Sequence, residues 1–101
     1  MSSRKRQRGK DLERFVASDL GGRRVGILGQ EDVLWRGIAV ECKERDEKGF
    51  PKSIRDWMAQ AEENAKGATA IVILHKLGSN HDEDIVMSRY KDFKSFMEGH
   101  K

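Results

Sequence analysis

The sequence predicts an α/β fold, a mixed β-sheet flanked by helices in the order αβββαββα. Three observations predict it: apolar residues at helical spacing over Leu12, Phe15, Val16 and Leu20, strict alternation from Ile38 to Lys43, and an unbroken apolar run from Ala70 to Leu74. A meander of three strands followed by a helical crossover implies a sheet with both parallel and antiparallel neighbours, packed against helices.

The first helix is expected from about Lys10 to Leu20, because its apolar residues recur on one face and Gly21-Gly22 supplies a stop. Arg23 to Leu28 and Asp32 to Trp35 are short, β-compatible segments separated by the turn-prone Gly29-Gln30. From Ile38 to Lys43 the side chains divide between two faces, with Ile38, Val40 and Cys42 on the core face and Ala39, Glu41 and Lys43 on the other. Arg45 to Lys52 is charged and contains Gly49 and Pro51, so it reads as a loop.

Ser53 and Asp56 resemble a capping box for a second helix carrying Ile54, Trp57, Met58, Ala61 and Ala65, with Lys66-Gly67 closing it. Its apolar face, Trp57 included, is expected to pack on the sheet. Ala70 to Leu74 has the uniform apolar character of a central strand covered on both faces. Gly78 to Glu83 is turn chemistry, Ile85 to Met87 a short strand, and Tyr90, Phe93, Phe96 and Met97 the stripe of a last helix. That stripe closes the core or pairs two copies of the chain.

A length of 101 residues suits one compact domain with a small core. Residues 1–8 read as a basic flexible arm and residues 9–101 as the domain. Apolar and charged residues each make up 37% of the chain, as expected for a soluble protein. No apolar run reaches the roughly 20 residues that span a bilayer, and no apolar signal segment opens the chain, so a cytoplasmic location is expected. The lone Cys42 excludes an internal disulfide and a cysteine metal cage.

Charge is distributed unevenly. Arg4, Lys5, Arg6, Arg8 and Lys10 precede the first acidic residue, so the chain beyond them is slightly acidic although the whole carries +3. A basic arm on a near-neutral body is suited to holding a polyanion, because each neutralised phosphate releases counterions. Nucleic acid is the polyanion such an arm suits, and a solvated tail or a localisation tag is the plain alternative.

The chemistry-bearing constellation centres on the alternating strand. Residues two apart in a strand share a face, so Glu41 and Lys43 are expected side by side, about 6 to 7 Å apart along the backbone. If the preceding strand pairs antiparallel with this one, Asp32 lies across from Glu41 and two hard carboxylates converge. Mg²⁺ takes one or two carboxylates, waters and phosphate oxygens in octahedral geometry, and Mn²⁺ is expected to substitute. Glu13 shares a ridge with Val16, Ala17 and Leu20, and Gln60 on the second helix stands one turn from Trp57 and Asn64. Acid-x-Lys also occurs at Asp46-x-Lys48 and Asp92-x-Lys94, so the tripeptide alone distinguishes nothing. Its placement in an alternating strand, after an acid on the strand before, does. The plain alternative is a surface ion pair worth about 0 to 1 kcal/mol.

Together, RGKDLERFVASDLGG, EDV, IAVECKER and WMAQAEENA resemble successive motifs of PD-(D/E)xK nucleases, over roughly residues 8 to 75. Archaeal-type Holliday junction resolvases and their phage relatives are the nearest in pattern. The resemblance implies a restriction-endonuclease-like fold and a Mg²⁺-dependent endonuclease acting on branched DNA as a homodimer. It implies Glu13, Asp32, Glu41 and Lys43 as the catalytic set, with the Cys42 carbonyl as a further metal ligand. Glu31 stands where a proline often precedes the acid. A second reading is a non-catalytic DNA-binding module that sets the arm and Arg23, Arg24 and Arg36 on phosphates. His75, His81 and His100 show no ligand spacing, and Asp82 to Asp84 reads as a solvated turn.

Overall fold

A computed structural model of the chain describes residues 2–27 and 30–99, leaving aside the side chains of residues 2–10, 26, 27 and 30–32. The backbone divides into two compact units, Met1–Gly49 and Phe50–Lys101. Among the described residues no helix is long and apolar enough to cross a membrane.

In the first unit, α1 (Ser2–Leu20) precedes β1 (Arg23–Ile27), β2 (Gln30–Trp35) and β3 (Ile38–Val40). The helix begins well before Lys10, so the basic residues expected on a flexible arm stand on its first turns. Arg, Lys and Gln are good helix formers, and no proline interrupts them. Gly21 adopts φ +78°, and the Gly22 amide donates to the Ala17 carbonyl at 2.8 Å, the bond that closes a Schellman cap. A Cβ at Gly22 would stand 2.6 Å from the Leu34 carbonyl oxygen, which is why the chain passes so close beneath β2 only with glycine there.

β1 pairs antiparallel with β2, and β2 with β3. Arg36 at φ +52° and Gly37 at φ +78° form the two-residue hairpin between β2 and β3, with the Arg36 guanidinium 5.1 Å from the centre of the Trp35 ring. One face of the sheet lies under α1. Val33 is fully buried there among Val16 and Ala17, with Leu12, Leu20, Val40 and Cys42 packed around them. Phe15, expected on this stripe, is exposed. Successive helical positions differ by about 100°, so Leu12, Val16 and Leu20 leave Phe15 at the margin and Ala17 takes its place.

In the second unit, α2 (Lys52–Ala65) leads to β4 (Val72–Leu74), a 3₁₀ turn (His81–Glu83), β5 (Ile85–Met87) and α3 (Tyr90–Gly99). The predicted capping box is not formed. α2 starts one residue before Ser53, after Pro51, whose carbonyl takes the first helical bond from Arg55 at 3.0 Å. Proline suits this place because it presets an entry conformation and lacks an amide of its own. Lys66 in the left-handed region and Gly67 at φ +94° end the helix. Met58 is its buried residue, while Trp57, expected in the core, is two-fifths exposed.

The elements follow the predicted order along the chain, but the strands do not join in one mixed sheet. They fall into two antiparallel sheets, β1-β2-β3 and β4-β5. Hairpin partners close over short loops, whereas a parallel neighbour requires a crossover and a longer loop closure. β4 is accordingly not a central strand: β5 is its partner, and Ile73 remains 64% exposed. Leu28, Gly29 and His100, each assigned a place from the sequence, lie outside the described residues. On the Glu62 side of α2, Arg89 donates to both carboxylate oxygens, at 2.8 and 3.1 Å, tying the start of α3 to the helix.

Candidate functional site

β3 positions the central pair. Its register with β2 matches Val33 with Val40, Leu34 with Ala39 and Trp35 with Ile38. The paired register ends at Val33 and Val40, one residue short of positions 32 and 41. The side chain of Asp32 lies outside the described residues, so its place is given by the backbone alone.

Regular strand structure ends at Val40, yet the alternation in burial continues. Val40 and Cys42 pack against the core under α1, and Glu41 and Lys43 are exposed. The Cys42 side chain is thus a small apolar filler, as its strand position predicts. Lys43 Nζ stands 3.9 Å from Glu41 Oε2, with both side chains largely in water. The expected neighbours do meet. At this exposure their attraction alone contributes about 0 to 1 kcal/mol, so stability gives little reason for the arrangement.

Glu13 is placed differently. Its Oε2 is buried and lies 3.5 Å from Arg24 Nε, an ion pair without a hydrogen bond between these two atoms. Arg24 is paired across the ladder with Val33, the centre of the helix-covered face. Because Glu41 projects to the opposite side from Val40, Glu13 and the Glu41–Lys43 pair belong to opposite faces of this sheet. Arg24, named above as a phosphate contact, is therefore engaged with Glu13. Arg36 lies over Trp35, and Arg23 is exposed.

Gln60 stands on the exposed side of α2, in the second unit, where its amide donates to Asn64 Oδ1 at 3.1 Å. The side chains of Arg4, Lys5, Arg6, Arg8 and Lys10 lie outside the described residues. Glu41 and Lys43 are thus brought together, position 32 stands one residue beyond the last position of β2 that pairs with β3, and Glu13 and Gln60 have partners of their own.

A second cluster was set aside in the sequence and is formed in the structure. One donor atom each from His75, His81 and Asp84 lies within 4.8 Å of the others. The signal for it was the placement of His75 after one strand and Asp84 before the next, with His81 three residues ahead of Asp84. Spacing between the histidines alone does not show it.

Comparison of the chain with family models, with curated proteins and with solved structures finds no match in any of the three.

Proposed function

We propose that the chain is a metal-dependent endonuclease that hydrolyses phosphodiester bonds in DNA, using Mg²⁺, with branched DNA such as Holliday junctions as its preferred substrate. The observation that supports this reading is Lys43 Nζ 3.9 Å from the Glu41 carboxylate, just past the end of β3, whose pairing with β2 runs to Val33 and Val40, one residue short of positions 32 and 41. The donor chemistry fits a hard divalent ion. Asp32, Glu41 and the Cys42 carbonyl offer oxygen, and the Cys42 thiol packs toward the core. Glu13, paired with Arg24 on the helix-covered face, stands apart from this set.

A bound divalent ion would polarise the scissile phosphate and lower the pKa of a coordinated water. Lys43 acts beside it. Its ammonium offsets negative charge that develops on the phosphoryl oxygens during in-line displacement, in which the attacking water gives up its proton to solvent as the P–O bond to the departing sugar oxygen breaks. Glu41 keeps that ammonium near the reacting atoms through their ion pair. Arg4, Lys5, Arg6, Arg8 and Lys10 supply sequence-independent attraction to the DNA backbone, and a homodimer would present two such centres to opposed strands.

The Glu13–Arg24 ion pair favours a second reading, a DNA-binding module that keeps the framework without cleaving. One assay separates the two. Labelled four-way junction, flap, single-stranded and duplex DNA are incubated with Mg²⁺ or EDTA, with wild type and Lys43→Ala. The nuclease reading predicts Mg²⁺-dependent cleavage, strongest on the junction and reduced at least about 100-fold in Lys43→Ala. Cleavage that survives EDTA, or that is unchanged in Lys43→Ala, contradicts it, and binding without cleavage across several divalent ions supports the second reading.

A further inference from the structure

The connection between β4 and β5 is folded around its own polar groups. Leu74 is matched with Ile85, so the same antiparallel register sets His75 opposite Asp84 at the next step. Gly78 at φ +86° and the Ser79 amide bonded to the Lys76 carbonyl turn the chain back. Asn80 then caps the 3₁₀ turn, its Oδ1 accepting from the Asp82 amide at 2.9 Å. A 3₁₀ helix repeats every three residues, which aligns His81 with Asp84 on one side.

As a result both imidazoles converge on one carboxylate. His75 Nδ1 lies 2.5 Å from Asp84 Oδ1, and His81 Nδ1 lies 3.0 Å from Asp84 Oδ2. The two rings stack, with centroids 4.2 Å apart and planes inclined by 27°. The Asp84 side chain is 12% exposed and that of His81 82% exposed, so the cluster has a sheltered acid at its base and an open side.

We propose that His75, His81 and Asp84 form a binding site for one transition-metal ion of the zinc class, with the fourth position open to water. Two imidazole nitrogens and a carboxylate oxygen are the donor types that such ions select over Mg²⁺. With metal–ligand bonds of about 2.0 to 2.2 Å, tetrahedral donors stand about 3.3 Å apart. The three donors already lie within 4.8 Å of one another, and small side-chain rotations of the exposed rings bring them to that spacing. The ion takes the place of the two imidazole–carboxylate contacts, and it clips the end of β4 to the start of β5. This site is independent of the nuclease reading, which uses a hard ion at other residues.

The test is titration of the full chain with Co²⁺ and Zn²⁺ in the presence of excess Mg²⁺, read by visible absorption of Co²⁺ and by calorimetry. The expected result is one ion per chain, bound at about 10 µM or tighter, in a tetrahedral Co²⁺ environment that Zn²⁺ displaces. His81→Asn, on a side chain in water and therefore compatible with folding, is expected to weaken binding at least about tenfold, as is Asp84→Asn. Cys42→Ser is expected to leave it unchanged. No binding at about 100 µM metal, or equal binding by wild type, His81→Asn and Asp84→Asn, overturns the site.

Discussion

The two sheets of this molecule are built from similar apolar residues and end differently. In the first unit α1 lies across β1-β2-β3, and Val33 at its centre is removed from water altogether. In the second unit the β4-β5 ladder leaves Ile73, Ile85 and Val86 more than half exposed. Polar clips are more evident there: the fork between Arg89 and Glu62, and the His75–Asp84–His81 cluster. Apolar composition thus does not decide burial. What decides it is whether an amphipathic element in the same unit presents a face wide enough to cover the strand.

The largest effect that would sharpen this contrast comes from truncating the covered side. Trp35 is 5% exposed, and Trp35→Ala is expected to cost about 3 to 5 kcal/mol, measured as a fall in urea midpoint by circular dichroism. Ile73→Ala, at a position 64% exposed, should shift the same transition by about 1 kcal/mol or less. Equal effects would erase the distinction between the units.

A smaller loss is expected at the close approach of α1 to β2. Gly22→Ala sets a Cβ 2.6 Å from the Leu34 carbonyl oxygen, so the backbone has to shift, at a cost of about 1 to 3 kcal/mol. Gly78→Ala meets open space and strains only its own φ of +86°, about 1 to 2 kcal/mol. Thermal melts of the two variants rank them.

The smallest effect belongs to the polar clip. The Arg89 guanidinium holds the Glu62 carboxyl below the usual glutamate range, and Arg89 itself is pushed further up by the same contact. A depressed acid contributes stability that is complete above its ordinary range and is lost as pH falls through the lowered value. Glu62→Gln is therefore expected to lower the stability of the second unit slightly at neutral pH and to leave it unchanged below the lowered value, which flattens the acid side of its stability profile. Single-tryptophan protein carrying Trp35→Phe reports it through Trp57. An unchanged acid limb would detach the clip from folding.

Much of the local structure was legible in the sequence. Alternation from Ile38 to Lys43 predicted a strand, of which Ile38–Val40 is formed; Val40, Cys42, Glu41 and Lys43 sort to the predicted sides, whereas Ile38, expected on the core face, is 43% exposed. Gly21-Gly22 and Lys66-Gly67 marked helix ends because a left-handed residue is needed there. The start of α1 was hidden because a basic run reads equally as an arm or as a helix of good formers. Longer-range facts were hidden for another reason. Which strands pair, whether Glu13 turns to Arg24 or to a metal, and how His75 comes to face Asp84 depend on register and on the helix-covered face, which single-residue patterns do not encode.

Paramagnetic mapping with Mn²⁺ tests most directly whether positions 32 and 41 hold a hard cation together. In amide spectra of the isotope-labelled chain, substoichiometric Mn²⁺ is expected to broaden resonances of residues 31–33 and 40–43 in parallel, and Glu41→Gln should abolish both effects at once. Broadening confined to residues 75–84, or broadening near 32 that persists unchanged in Glu41→Gln, would contradict a shared ion and with it the proposed nuclease centre.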